Sequence, residues 1–260
     1  SSDLVTASNI GYYPAVVGIL GNGNDITVVA DGKSLDLDCV STTGTSQAIG
    51  VYANKNVNVQ ANNLNIKATA PGKTAAGIFV QNGGQAVING NVDMSVKNST
   101  DGDADGIYLY NGGSKLTING DLNMKGNGEG DLAYGVLAAE KGGYGTKVYQ
   151  AKGIYMYDNS TDGGEVKITG KADIAVKGTG IDMRGSKNNK ITIDSGSIIT
   201  PESTTDEFKA IGIAAGTFNI GMTDQGIVNG KDVTVKGQIY ALEKGTINLG
   251  LGSSNSLFAG

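Results

Sequence analysis

Residues 77–97 of the chain read GIFVQNGGQAVINGNVDMSVK, and residues 106–125 repeat them almost position for position as GIYLYNGGSKLTINGDLNMK. A third copy, GIYMYDNSTDGGEVKITGKADIAVK, occupies residues 153–177. Self-similarity at a period of roughly 20 to 50 residues is typical of solenoid, propeller and array folds. The repeats therefore predict a fold built from stacked or arrayed copies of one structural unit.

The glycine that opens each copy recurs along most of the chain. Opening glycines stand at positions 50, 77, 106, 135, 153, 180 and 212, with steps of 27, 29, 29, 18, 27 and 32 residues. A degenerate copy begins near Gly18, and a last partial copy begins at Gly237. Most steps lie near one value, which indicates a repeat of about 28 residues.

Each copy contains three short segments in which apolar and polar residues alternate. Such alternation is typical of strands with one buried face, and the Gly, Asn and Asp between the segments tolerate tight bends. One coil of three strands cannot bury a core by itself, so the coils must stack. The sequence predicts an all-β, right-handed parallel β-helix of about nine coils. We expect a single domain over residues 1–260, with an N-terminal cap segment at 1–15.

Superposing the copies predicts which side chains point into the core. One inward column comprises Leu37, Ile66, Met94, Met124 and Ile174, and a second comprises Val28, Val59, Ile88, Ile118, Ile168 and Ile193. Cys39 falls in register with Ala68, Val96 and Val176. Because a free cysteine is commonly buried, we expect Cys39 to be a small apolar core residue and not a reactive thiol.

The composition excludes several classes of chemistry and partner. Among 260 residues there are 42 Gly, 3 Pro, 1 Cys and no His, and the net charge is −5. Without His there is no imidazole base, Ser-His-Asp triad or Cys-His pair. No cluster of Lys and Arg favours nucleic acid or an anionic membrane surface as a partner. The longest apolar stretch, residues 10–20, contains Pro14 and is too short to span a bilayer, so we expect no direct membrane insertion.

An aromatic stripe is predicted on the outer face of the first strand of each coil. Alternation places Ile107 and Leu109 inward and Tyr108 outward. Stacking then aligns Tyr52, Phe79, Tyr108 and Tyr155, with Leu137 between the last two. Exposed aromatic rings in a row suit sugar rings or partner side chains, which makes these residues candidate ligand-binding groups. The alternative is that Tyr and Phe favour strands and stack for stability.

An insertion is predicted where the repeat spacing fails. The step from Gly135 to Gly153 is too short for another coil, and residues 138–150 are interpreted as an inserted hairpin with a Gly-rich tip. Tyr144 in that tip is a further candidate ligand-binding residue, since loops on a rigid scaffold often carry function. An incidental insertion or an irregular short coil is the alternative.

One acidic segment resembles the beginning of a calcium loop. Asp101, Asp103 and Asp105 alternate before Gly106, as in the first half of an EF-hand loop, and are the candidate calcium ligands. The pattern fails at the twelfth position, where Gly112 replaces the bidentate acid. A solvated turn between coils is the alternative, and no other cofactor is expected.

A polysaccharide-cleaving enzyme is the main alternative to a binding rod, because lyases and hydrolases of acidic sugars also use β-helices. Glycoside hydrolysis usually needs two carboxylates about 5 to 9.5 Å apart. Asp182, with Arg184 two residues on, is the nearest approach to a catalytic group. The predicted neighbours of Asp182 in adjacent coils, Tyr155 and Ala214, supply no second acid. An exposed ion pair is the simpler interpretation, so we predict that the chain is not an enzyme.

The phrases GSKLTINGDL at 113–122 and GEVKITG at 164–170 resemble the repeats of autotransporter passenger domains, the secreted β-helices of Gram-negative bacteria. The resemblance covers roughly residues 15–251. It implies a passenger exported through the outer membrane and located at the cell surface. It also implies a non-enzymatic adhesin that presents a rigid lateral face to glycans or proteins of host or neighbouring cells. Self-association and a passive structural stalk remain the other possible functions.

Overall fold

The computed structural model describes ten stretches of the chain, and all its regular elements are strands. The stretches are residues 6–10, 13–100, 102–124, 136–138, 141–143, 146–148, 151–200, 209–223, 225–251 and 256–258. The strands are β1 (Thr6–Ile10), β2 (Tyr13–Gly21), β3 (Ile26–Val29), β4 (Leu35–Val40), β5 (Gln47–Ala53), β6 (Asn56–Ala70), β7 (Ala75–Gln81), β8 (Gln85–Asn98), β9 (Ala104–Tyr110), β10 (Lys115–Asn119), β11 (Leu122–Met124), β12 (Val136–Ala138), β13 (Lys141–Gly143), β14 (Thr146–Val148), β15 (Ala151–Asp158), β16 (Glu165–Lys177), β17 (Thr179–Gly185), β18 (Lys190–Ile199), β19 (Lys209–Ile220), β20 (Val233–Lys236), β21 (Gln238–Leu249) and β22 (Ser256–Phe258). Within these stretches no helix is long and apolar enough to cross a membrane.

The strands form three parallel columns, in which each strand pairs with its counterpart one coil away. The first column contains β2, β5, β7, β9, β15, β17, β19 and β21. The second contains β3, the first parts of β6, β8, β16 and β18, all of β10, and the second parts of β19 and β21. The third contains β4, the second parts of β6, β8, β16 and β18, and β11, β12, β20 and β22. The fold is therefore an all-β parallel solenoid of about seven turns with three strands in each coil.

The expectation of about nine coils was too high, partly because the segment after β11 does not open a new coil. Val136 of β12 pairs with Val96 of β8 and with Val176 of β16. β12 therefore follows β11 in the third column of the same coil, because both strands pair with β8 and β16. In the first column β9 pairs directly with β15, and Leu137 does not lie between Tyr108 and Tyr155. A short apolar phrase after a glycine resembles both a first and a third strand, since both alternate, and the pattern alone cannot distinguish them.

The two predicted inward columns are confirmed. Leu37 pairs with Ile66 and Ile66 with Met94, and the second column likewise runs in register from Val28. Cys39 lies opposite Ala68 in the core and is 1% exposed. Burial raises the pKa of its thiol to about 11, so the thiol is protonated and unreactive at neutral pH, as expected.

The opening glycines let neighbouring coils approach each other closely. A Cβ atom on Gly106 would lie 2.6 Å from the carbonyl oxygen of Gly153 and 2.7 Å from Sδ of Met124. Similar contacts occur along this column, at Gly18, Gly50, Gly77, Gly153 and Gly180. No side chain fits between the neighbouring backbone and the core at such distances. Steric exclusion of a Cβ atom therefore explains why glycine occupies these positions.

Two antiparallel pairs interrupt the parallel arrangement. β1 runs antiparallel to β2, with Thr6 opposite Val17, and covers the N-terminal edge of the first column. β13 and β14 form a second antiparallel pair, with Lys141 opposite Val148. β1 lies within the segment 1–15 that the sequence assigned to a cap, although its partner β2 extends beyond it to Gly21. β13 and β14 lie within the segment 138–150 that was assigned to a hairpin. Tyr144 lies outside the described residues.

Gly106→Ala is expected to destabilise the solenoid by about 1–3 kcal/mol, because the methyl group overlaps the Gly153 carbonyl and Met124. Gly44→Ala is the matched control, since a Cβ atom there meets nothing within 4 Å. It should change the free energy of unfolding by less than about 0.5 kcal/mol. Urea unfolding followed by circular dichroism measures both. Equal stability of the two variants would show that the glycine column is not a packing constraint.

Candidate functional site

The aromatic stripe (Tyr52, Phe79, Tyr108 and Tyr155) is aligned as predicted, one ring per coil. The rings of Phe79 and Tyr108 stack with centroids 4.7 Å apart and an interplanar angle of 13°. Those of Tyr108 and Tyr155 stack at 4.9 Å and 8°. Both distances are close to the strand spacing of about 4.8 Å, so the pairing of the coils sets the stacking. Tyr52 meets Phe79 edge-on at 5.6 Å and accepts a hydrogen bond from Gln81.

The expected exposure of the stripe was wrong for two of its members. Tyr52 is 2% exposed and Phe79 is 6% exposed, whereas Tyr108 and Tyr155 are half-buried. The buried pair belongs to a second apolar cluster on the outer side of the first strands, which also contains Ile49. Outward positions in these coils are apolar as well as inward ones, so the outer face is packed. The faces of the stacked rings contact one another, which leaves their edges to meet a ligand.

A group of charged side chains follows Tyr155 along the same face. Nζ of Lys152 lies 4.3 Å from the centroid of the Tyr155 ring, and Cζ of Arg184 lies 5.9 Å from it. Arg184 donates two hydrogen bonds of 2.8 Å to the carboxylate of Asp182. This bidentate geometry holds the guanidinium group of Arg184 in place beside the ring.

The register of Asp182 differs from the prediction on one side. Asp182 pairs with Tyr155 in one neighbouring coil and with Gly212, not Ala214, in the other. The shift arises because Gly180 is followed in its column by Ala210, two residues before the glycine that the repeat suggested. Neither neighbouring position provides a second carboxylate beside Asp182.

Asp105 is a buried carboxyl group on this face. It lies between Ala76 and Lys152 in the first column and is 1% exposed. Its Oδ1 is 3.9 Å from Nζ of Lys152 and has no hydrogen-bond partner. Burial raises the pKa of Asp105 to about 7, although the nearby ammonium group of Lys152 lowers it. Burial also raises the pKa of Tyr155 to about 12 and that of Tyr108 above its ordinary value.

The candidate calcium ligands are not brought together by the described residues. Asp101 lies outside them, and Asp105 faces an ammonium group. The turn before β9 is built instead on Asn98, whose Oδ1 accepts hydrogen bonds from the N–H groups of Thr100 and Gly102. In the described part of the chain no group of three or more Cys or acidic side chains is placed to hold a metal ion.

A polar groove of about 970 Å³ lies on the third column and was not predicted from the sequence. Its main row has one side chain per coil, in register: Asp36, Asn65, Asp93, Asn123 and Asp173. The amide of Asn65 donates to Oδ1 of Asp36 at 2.6 Å, and that of Asn123 donates to Oδ1 of Asp93 at 2.7 Å. Carboxamides and carboxylates therefore stand in register across five coils, and these two ladder bonds join them in pairs.

A second polar row lines the groove at the bend between the second and third columns. It contains Asn63, Asn91, Asp121 and Lys171, linked by hydrogen bonds from Asn91 to Asn63 (3.2 Å) and from the Asp121 N–H to Asn91 (3.0 Å). The ammonium group of Lys171 lies 2.8 Å from Asp173, and this hydrogen bond raises the pKa of Lys171. The signal in the sequence is a polar–apolar–polar triplet at the start of the third strands, as in NLN at 63–65 and NVD at 91–93.

Comparison with protein-family models, with curated proteins and with solved structures finds no match to this chain. The similarity to autotransporter repeats thus remains an expectation drawn from the style of the repeats. The function must be argued from the geometry of the faces described above.

Tyr108→Ala is expected to lower the free energy of unfolding by about 2–4 kcal/mol, because the ring packs between Phe79 and Tyr155. Tyr108→Phe keeps the stack and should cost less than about 1 kcal/mol. Tyr240→Ala, at an exposed ring in the last coil, is the positional control and should also cost less than about 1 kcal/mol. Urea denaturation measures all three. A Tyr108→Ala variant as stable as the parent protein would contradict a structural role for the stack.

Asp105→Asn is expected to alter the pH dependence of stability. The folded pKa of about 7 lies above the ordinary value of 3.8, so the folded state binds the extra proton. The corresponding stability is present below about pH 4 and is lost as the pH rises towards 7. The free energy of unfolding of the variant relative to the parent should therefore rise over this interval, by a few kcal/mol at most. Lys152, Asp103 and Asp182 are the charged groups that act on Asp105.

Thermal unfolding from pH 4 to pH 8 measures this difference. Asp162→Asn, at an exposed position, is the control and should show no such trend. A constant difference between Asp105→Asn and the parent across the range would show that Asp105 titrates normally.

Proposed function

We propose that the chain is a non-enzymatic, adhesin-like scaffold that presents rigid lateral faces to glycans or proteins of host or neighbouring cells. The observation that carries this proposal is the groove on the third column, where equivalent polar side chains from five coils form one continuous surface. Stacked repeats typically use such extended surfaces for binding.

The packing beneath the groove supports a pre-organised binding surface. The groove residues alternate along their strands with the buried residues Leu37, Ile66 and Met94, which belong to the main core cluster. Because the backbone on both sides of each polar side chain is held by the core, little conformational entropy is lost when a ligand binds. A rigid surface of this kind suits weak contacts that are repeated along a polymer.

The proposal includes a right-handed winding and export to the bacterial cell surface. Right-handed connections between parallel strands are the general preference. The outer-membrane route and the surface location follow from the similarity of the repeats to autotransporter passengers. Labelling of intact producing cells with an antibody to the chain tests the location, and a signal that requires cell lysis would contradict it.

A polysaccharide-cleaving enzyme is the second candidate function. The observation that favours it is Asp105, whose pKa of about 7 suits a general acid. Against it, Asp105 is buried, and the carboxylate of Asp182 is already held by both hydrogen bonds of Arg184. We therefore favour binding without turnover.

The purified chain is expected to bind at least one ligand on an array of surface glycans and matrix proteins, and to release no products from polygalacturonate or other acidic polysaccharides. Binding should survive Tyr108→Phe combined with Tyr155→Phe, since those rings stack on each other. Turnover that is abolished by Asp182→Asn or Asp105→Asn would favour the enzyme. Failure to bind anything on the array would favour a passive stalk.

A further inference from the structure

We propose that the groove on the third column binds a linear, uncharged polysaccharide that lies along the solenoid axis, with about one sugar residue opposite each coil. This inference rests on the proposed binding function and names the face and the ligand class. Three features of the groove support it: the spacing of its polar groups, their hydrogen-bonding capacity and their charge.

The spacing of the groove matches a polymer of sugar rings. Neighbouring coils lie about 4.8 Å apart, which is close to the length of one pyranose residue in an extended chain. The main row therefore meets successive sugars with equivalent groups, as Asp36, Asn65 and Asp93 succeed one another coil by coil. A short saccharide engages one or two coils, whereas a longer chain engages several at once. Affinity should accordingly rise with chain length.

The hydrogen-bonding groups of the groove suit hydroxyl ligands. In the ladder, Asp36 and Asp93 each accept the amide of the next coil through Oδ1. Their Oδ2 atoms have no hydrogen-bond partner among the described residues and can accept from a sugar hydroxyl. Asn65 and Asn123 also line the groove, and their carboxamide groups combine a donor with an acceptor. The surface thus combines hydrogen-bond acceptors and donors, as a ligand rich in hydroxyl groups requires.

The charge of the groove selects against acidic polymers. Five carboxylates line it, and its two ammonium groups are already paired, Lys67 with Asp38 at 3.5 Å and Lys171 with Asp173 at 2.8 Å. A uronate or sulfated chain would place its charges beside these carboxylates, and like charges brought together in a groove are unfavourable. A neutral chain meets no such repulsion. The other polymer that the charge would admit is a cationic peptide, which the experiment must distinguish.

The experiment measures binding of defined probes to the full chain by isothermal titration calorimetry. The neutral probes are linear hexasaccharides of glucose, mannose, xylose and N-acetylglucosamine with the matching disaccharides, and the charged probes are a polygalacturonate oligomer and hexalysine. At least one neutral hexasaccharide should bind about tenfold more tightly than its disaccharide and than either charged probe.

Variants in the middle of the groove locate the site. Asp93→Ala combined with Asn123→Ala removes both partners of one ladder hydrogen bond and should weaken hexasaccharide binding about tenfold. The matched control is Asn89→Ala combined with Asn119→Ala, which removes a 2.8 Å amide ladder bond on the second column, outside the groove. It should leave binding within about twofold. If the double groove variant fails to fold, Asp93→Asn is the second variant, because it keeps the shape of the side chain and removes its charge. It should reduce the difference in affinity between the neutral hexasaccharide and the polygalacturonate oligomer.

The inference is overturned if no neutral hexasaccharide binds, if polygalacturonate or hexalysine binds more tightly, or if the groove and control variants behave alike. Array binding that the groove variants leave unchanged would refute the groove as the site and keep the proposed binding function. If the parent protein binds neither a ligand on the array nor a neutral hexasaccharide, the groove inference and the proposed binding function are both refuted.

Discussion

The pairing of each coil with the next at one strand spacing is the constraint on which the rest of the molecule depends. It requires a glycine where the first strand passes the neighbouring backbone, since a Cβ atom on Gly106 would lie 2.6 Å from the Gly153 carbonyl. It also places equivalent side chains about 4.8 Å apart, a distance that suits stacked rings and ladders of hydrogen-bonded amides. The aromatic stripe and the polar groove are two results of the same spacing, on two faces of one solenoid.

This constraint explains why most of the fold was predictable from sequence. A side chain that recurs every 28 residues or so has the same environment in each coil, so the inward columns that contain Ile66 and Ile88 follow directly from aligned repeats. The same alignment identified the burial of Cys39. Prediction failed where the chain departs from the repeat, at Val136 in the third column and at Ala210 in the first. Insertions change which column a short apolar phrase joins, and alternation carries no information about columns.

The candidate site was predictable only in part, for a different reason. The order of the aromatic rings follows from register, but their exposure depends on what packs against the outer face, and the burial of Phe79 cannot be derived from its own strand. The groove has no distinct local signature in the sequence, because Asn and Asp are also the usual residues of tight bends. Its ladder joins partners such as Asp36 and Asn65, which are 29 positions apart and belong to no local motif.

The contacts of the two faces separate a structural role from a binding role. On the stripe, each interaction that a ligand would need is already made within the protein: Tyr108 is stacked on both sides, and Tyr155 carries Lys152 and Arg184 over its ring. In the groove, the ladder bond uses Oδ1 of Asp93, and Oδ2 has no hydrogen-bond partner among the described residues. Interactions within a periodic scaffold stabilise it when they are complete in every coil. Where a carboxylate oxygen is left over at equivalent positions, as at Asp36 and Asp93, the scaffold offers a repeated acceptor, and a repeating ligand can use each of them.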